Sequence, residues 1–257
     1  MIVPTFFLCV SCAMATAAQT DGDTKKGAEG WDGTVELSAS SATGNTETTV
    51  LGARFEAKRI YGRYTNELKA GVNYAEATTE DDDGNEIDAV TQNNWFAEYK
   101  LNAQINDRTF LYLRTRAEHD EFSGFDSRYF LGGGVGHALF DSETRSWSVL
   151  AGPGVQYTVL EDPAEVTADF EGEVTELALY AGSDFSWLIR ENVTVEHDLD
   201  VTWTNENTTT ATVASIKTQL SETLSSRLSY QFKHETDPPE DRESTDTLLS
   251  ASVAYGF

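Results

Sequence analysis

The residues of this chain whose types could do chemistry are its four histidines and its acidic runs. A histidine acts as a base toward serine or water when the two share a face within hydrogen-bond reach. None of His119, His137, His197 and His234 is followed two residues later by Ser, the spacing that puts both side chains on one face of a strand. His119-Asp120 and His197-Asp198 are adjacent pairs of the kind that polarise water, yet neighbours on a strand point to opposite faces. In "TEDDDGNEID", Asp81 and Asp83 precede Gly84 as in a calcium loop, but Thr79 opens the run and Val90 stands where the bidentate Glu belongs. A solvated acidic loop is expected there, with at most weak divalent-cation binding. "GGGVG" lies inside an alternating pattern with no helix after it, which excludes a phosphate cradle. The sequence therefore predicts no catalytic residue, no cofactor and no metal centre.

Charge placed at every second residue is the stronger signal. Arg54, Lys58, Arg63, Lys69, Lys100, Arg114 and Arg116 alternate with apolar neighbours and share their parity with Glu56, Glu67, Glu98 and Glu118. Glu196, Asp198 and Asp200 do the same further on, and Gly132, Gly134 and Gly136 share a parity with Arg128. Gly152, Gly154, Ala178 and Gly182 continue that glycine-rich face. These faces predict a polar lumen with basic, acidic and nearly bare walls, either filled by paired charges or open as a narrow water channel.

Such faces need strands to carry them. Trp31, Val35, Leu37 and Ala39 oppose Asp32, Thr34, Glu36 and Ser38, and the last segment sets Leu249, Val253, Tyr255 and Phe257 against Ser250, Ser252 and Gly256. Counting such segments gives about twelve strands, most near the roughly 9–11 residues that cross a bilayer at a tilt. "RIYGR", "QINDR", "FDSETR", "LIREN" and "LSETLSS" are short connections. They alternate with longer polar ones, among them "SSATGNTE", "ATTEDDDGNEID", "TNENTTT" and "HETDPPEDREST". Aromatics are expected in two girdles, with Tyr61, Phe110, Phe140, Trp147, Trp187, Tyr255 and Phe257 toward the short turns. Tyr74, Phe125, Tyr129, Tyr157, Trp203 and Tyr230 would lie toward the long loops. The fold class that follows is all-β: a transmembrane antiparallel up-and-down β-barrel of about twelve strands with periplasmic termini.

Bulk properties set the context. The start "MIVPTFFLCVSCAMATAAQT" has an apolar stretch and Ala15 and Ala17 at cleavage spacing, although no Lys or Arg precedes it. The domain expectation is a signal peptide at 1–17, a short periplasmic segment at 18–30 and the barrel at 31–257. Cys9 and Cys12 both fall in the leader, so the mature chain has no disulfide; lipidation at Cys12 is the alternative. A formal net charge of −25 argues against a nucleic-acid partner. No run of apolar residues is long enough for a membrane helix, and the mean hydropathy is −0.40.

The segments "WDGTVELSASSATGNTETTVLGARFEAKR", "RYFLGGGVGHALFD" and "SVLAGPGVQY" resemble the YdiY-like family of salt-induced outer-membrane proteins, a domain of unknown function. The resemblance runs from about Trp31 to Phe257, carried by Trp31, Gly33, Gly44-Asn45, Gly132 to Gly136, Gly152 and Gly154. It implies a Gram-negative outer-membrane barrel and brings no catalytic residues. Expected partners are outer-membrane lipid, lipopolysaccharide and the assembly machinery, which would read Tyr255 and Phe257 as a terminal signal. The expected function is a small, porin-like pore or envelope protein linked to salt or osmotic adaptation. The alternatives are a sealed structural barrel whose acidic external loops bind ions or partners, and an outer-membrane hydrolase.

Overall fold

The computed structural model describes residues 30–42, 48–80, 86–120, 125–160, 172–237 and 244–257. The expected leader at 1–17, all but the last residue of the segment at 18–30, Gly44-Asn45 and the Asp81, Asp83 and Gly84 run lie outside the described residues. Twelve strands follow in order: β1 Asp32–Ala42, β2 Thr48–Tyr61, β3 Tyr64–Glu80, β4 Glu86–Gln104, β5 Thr109–Asp120, β6 Phe125–Asp141, β7 Arg145–Leu160, β8 Glu173–Arg190, β9 Val193–Trp203, β10 Thr208–Gln219, β11 Leu224–Glu235 and β12 Thr245–Gly256. Each pairs antiparallel with its neighbours in sequence, and β1 pairs with β12 from Thr34↔Gly256 to Ala39↔Ala251, so the sheet closes into a barrel without a free edge.

Turn chemistry fixes one end. Gly62, at φ +58°, makes the two-residue β2–β3 turn, where a side chain would be strained. In the β4–β5 turn the Asn106 carboxamide oxygen accepts from the backbone N–H of Arg108 (3.0 Å) and Thr109 (2.9 Å). Connections 105–108, 142–144, 191–192 and 220–223 share this end, as do the start of β1 and the end of β12. At the other end the acidic connection read as "ATTEDDDGNEID" is shorter than expected. β3 runs on to Glu80 and β4 begins at Glu86, because ladder pairing from Glu76↔Val90 to Glu80↔Glu86 continues beyond the apolar alternation. "TNENTTT" shrinks likewise, since β10 starts at Thr208.

The barrel is inside out relative to a soluble protein. Leu37, Leu51, Leu131, Leu177, Leu179 and Leu249 are exposed on the outer wall, while Glu36, Lys100, Arg114, Arg128, Ser229 and Ser252 are buried within. Hydrocarbon is the solvent that makes such an outer surface stable.

The interior has its own apolar layer: Phe110, Tyr112, Phe130, Leu150, Ala178 and Tyr180 pack together over the β5–β8 wall. This corrects two sequence expectations. Phe110 and Phe125 are buried inside and do not belong to the outer girdles: Phe110 has the parity of the charged face, and a register shift between Phe125 and Ser127 reverses the alternation and turns Phe125 inward. The glycine wall is not bare either: a Cβ at Gly132 would lie 2.6 Å from the Phe130 ring and one at Gly182 2.7 Å from the Tyr180 hydroxyl. Glycines clear the backbone so that rings from the same wall can lie flat across it. At Gly134 a Cβ would meet Gly152 Cα at 2.7 Å, so there β6 and β7 themselves approach too closely for any side chain.

Candidate functional site

Inside the short-turn half is a cup of about 800 Å³, lined by β1–β4, the ends of β6–β8, β9, β10, β11 and the chain terminus. Arg54, Glu56 and Lys58 enter it from β2, Glu67 and Lys69 from β3, Lys100 from β4, Asp184 from β8, and Glu196 and Asp198 from β9. None of Arg116, Glu118, Arg128 and Glu235, which belong to the loop-side half, lines the cup.

Its floor is made by charges that meet across the lumen. Lys69 Nζ lies 3.9 Å from Asp198 Oδ2, and Lys100 Nζ lies 3.4 Å from Asp184 Oδ2 and 2.9 Å from Glu67 Oε2. Arg114 reaches Asp200 at 3.7 Å, and the Tyr180 hydroxyl donates to the same carboxylate. Lys69–Asp198, Lys100–Asp184 and Arg114–Asp200 join β3, β4 and β5 to β8 or β9, while Lys100–Glu67 and Tyr180–Asp200 tie neighbouring strands. Arg227 adds contacts from β11 to Glu36 on β1 (3.3 Å) and Glu196 on β9 (2.9 Å).

Toward the loop end the charges form a denser net. Arg114 Nη2 donates to Glu98 at 2.6 Å, Arg116 Nε to Glu118 at 2.7 Å, and Arg128 Nη1 spans to Glu235 on β11 at 3.1 Å. The guanidinium groups also lie over rings, Arg114 4.4 Å from Tyr180, Arg116 4.4 Å from Phe96 and Arg128 4.0 Å from Phe125. The carboxylates of Glu98, Glu118 and Glu235 and the rings of Tyr180, Phe96 and Phe125 thus each face a guanidinium, which lets charges lie inside a narrow barrel with little water.

Of the sequence-predicted lumen residues, Arg54, Lys58, Lys69, Glu196 and Asp198 border the cup, and Arg114, Arg116 and Asp200 form the layer beyond it. Gly132, Gly134 and Gly136 sit under rings or against backbone, as described above. Arg63 is the exception and a correction: it lies in the β2–β3 turn, and its guanidinium stacks 5.1 Å from the outward Tyr64 ring instead of pointing into the lumen. Asp184, Arg227, Tyr180 and Glu235 are lumen residues that the sequence did not single out, and Glu36, read there only as part of the polar face of the first strand, joins them. The signal that finds Asp184 is its shared parity with Gly182; Arg227 shares a parity with the small Ser225 and Ser229.

The histidine pairs separate. His197 faces outward and its Nε2 lies 3.0 Å from Thr212 Oγ1, while Asp198 faces the lumen. His119 stacks on Trp95 at 6.2 Å, and its Nδ1 is bonded to the backbone oxygen of Asp126. At the chain end Phe257 exchanges backbone bonds with Gly33 (3.1 and 3.0 Å), and its ring stacks on Phe55 at 6.3 Å. Tyr255 is exposed on the outer wall of β12.

A family model described as a protein of unknown function, DUF481, matches residues 35–257. The chain belongs to this family. The DUF481 assignment accords with the resemblance to salt-induced outer-membrane proteins read from the glycine-bearing segments. No curated protein matches this DUF481 chain in sequence. Among solved structures it is similar to the COG4313 outer membrane channel from Pseudomonas putida F1, with a TM-score of 0.51 at 11% identity over 93% of this chain and 100% of that one. It is also similar to the translocator domain of the autotransporter NalP from Neisseria meningitidis, with a TM-score of 0.50 at 10% identity over 88% of this chain and 87% of that one. At such identities the likeness is one of fold: this DUF481 member has the architecture of outer-membrane barrels.

Proposed function

We propose that this protein is a bacterial outer-membrane β-barrel that works as a narrow, non-enzymatic pore for small polar solutes and ions. β1 would begin and β12 end on the periplasmic side, with the longer connections among lipopolysaccharide. The single observation that carries a pore is the cup: a cavity of about 800 Å³ opening at the short-turn rim and ending on charged side chains. Long flexible side chains can swing aside, whereas an aliphatic core cannot. The solved channel that shares the fold supports the same direction. A role in salt or osmotic adaptation rests on the family resemblance.

Single-channel recording in planar bilayers tests it, with small, discrete conductance steps expected. A sealed structural barrel is the second reading, favoured by the ion pairs that join opposite walls and by the aromatic layer beside them. If neither the wild type nor an Asp184→Asn, Asp198→Asn double variant conducts while both remain folded, the sealed barrel takes the place of the pore.

A further inference from the structure

The walls of the cup differ in sign. Along β2–β4, Arg54, Lys58, Lys69 and Lys100 outnumber Glu56 and Glu67; along β8–β9 the described lining residues include Asp184, Glu196 and Asp198 and no base. Both signs meet the cavity. The Lys58 side chain is 56% exposed, and those of Asp184 and Asp198 are 39% and 35% exposed.

The contacts that bridge these walls are loose. Charge-assisted bonds close to about 2.7–2.9 Å, as Arg54 Nε to Glu56 does at 2.7 Å. Lys69 to Asp198 spans 3.9 Å and Lys100 to Asp184 3.4 Å, and within the basic wall Lys58 stands 4.0 Å from Glu67, so Lys69, Asp198 and Lys58 keep unused hydrogen-bonding capacity facing the cavity. Arg227, also in the cup wall, has a buried Nε with no hydrogen-bond partner among the described residues.

We propose that the cup is a binding compartment for small zwitterions, molecules that carry one carboxylate and one ammonium group as free amino acids do. The carboxylate would lie toward Lys69, Arg54 and Lys58, and the ammonium toward Asp198 and Asp184. A lone anion meets the acidic wall and a lone cation meets Lys69 and Lys58, so each satisfies one side and is repelled by the other. A zwitterion exchanges the long Lys69–Asp198 contact for one short charge-assisted bond at each end. The volume lies within the range of small-molecule pockets, roughly 300–1,000 Å³. The proposal refines the pore reading by naming what enters the cup, but binding does not require conduction.

The test is therefore a binding measurement: saturation-transfer NMR on the full barrel in detergent micelles, with glycine, acetate and methylammonium as probes. Glycine should give the strong signal and each singly charged probe one weaker by roughly fivefold, the scale of one partly exposed charge contact. Lys69→Gln and Asp198→Asn should each bring glycine down to that weaker level, and Lys58→Gln, on the exposed rim where it cannot upset folding, should lower it too. Lys233→Gln, in the loop-side half, should leave it unchanged. Acetate or methylammonium binding as well as glycine would overturn the proposal, as would glycine binding indifferent to all three cup variants. Conductance without glycine binding would sink it while leaving the pore standing, and glycine binding without conductance would do the reverse.

Discussion

Lys69 on β3 and Asp198 on β9 lie half a circuit apart in a twelve-strand wall, and their side chains meet at 3.9 Å. The lumen at that height is thus no wider than two extended side chains. Arg128 and Glu235 also link distant strands, at 3.1 Å, but with both side chains about nine-tenths buried. The two pairs should behave differently when cut. A double-mutant cycle on Lys69 and Asp198 should give a coupling of about 0.2–1 kcal/mol, since water reaches both groups. Glu235→Gln should destabilise the barrel by roughly 3 kcal/mol, because Arg128 stays buried with, among the described residues, Glu118 at 3.6 Å as its one remaining carboxylate. Urea unfolding in lipid vesicles, followed by tryptophan fluorescence, measures both.

Removing acid from the β9 wall should change which ions pass. Asp198 and Asp200 are the carboxylates that face Lys69 and Arg114, so Asp198→Asn with Asp200→Asn leaves those bases unopposed from β9. The reversal potential under a salt gradient should move toward anion selectivity, and heat-modifiable migration should be kept, because both side chains face the lumen and not lipid. An unchanged reversal potential in a folded, conducting variant would show that these carboxylates do not face the ion path.

Gly134 separates a packing role from a pore-lining one. Were the glycine wall open space, Gly134→Phe would simply narrow the lumen. In the structure even a methyl group there would press on Gly152 Cα, so Gly134→Ala should already disturb β6–β7 pairing. Gly182→Ala should be far milder, because the atom in its way is the Tyr180 hydroxyl at the end of a side chain. The yield of heat-modifiable barrel on refolding should therefore fall sharply for Gly134→Ala and little for Gly182→Ala.

Strand number and the sorting of side chains between lipid and lumen were legible in the sequence because both are written locally, in a period of two along each strand. What lies against a face was not. The residues that cover the glycines, Phe110, Phe130 and Tyr180, carry the lumen parity, and the place of Phe110 near a strand end, which by itself suggests a girdle, is overridden by that parity. Arg63 shares the parity of Glu67 and Lys69, but the strand ends at Tyr64, and beyond that point parity no longer fixes direction. The cross-lumen partners are the least local feature: Lys100 and Asp184 are 84 residues apart, and only the closure of the sheet brings their strands face to face.

The outer wall can be tested for its solvent. Leu37 lies mid-strand on β1, is 66% exposed and pairs across to Ala53 and Val253. If that face meets hydrocarbon, Leu37→Arg should cost about 2–4 kcal/mol of folding stability in vesicles, the scale for a base near the bilayer midplane. Leu37→Ser in detergent-free buffer should not render the protein soluble, since one residue leaves the rest of the apolar belt intact.

Phe257 bears on how the barrel closes. The β1–β12 seam has only six paired positions, from Thr34↔Gly256 to Ala39↔Ala251, against eleven between β1 and β2. Phe257 adds two backbone bonds with Gly33 beyond that ladder and lays its ring on Phe55 of β2, so one residue ties the last strand to the first two. The ring is accommodated because position 33 is Gly: a Cβ there would lie 2.5 Å from the Phe257 ring. Phe257→Ala removes the ring and keeps the backbone bonds. It should leave the eleven other strand pairings unchanged but slow closure, seen as a longer half-time for heat-modifiable barrel to appear on refolding into vesicles. In cells, where the terminal Tyr255 and Phe257 are expected to be read by the assembly machinery, the same change should lower the amount of assembled barrel by more than the refolding defect alone predicts. Equal defects in vesicles and in cells would assign Phe257 to the seam and leave the assembly signal to other residues.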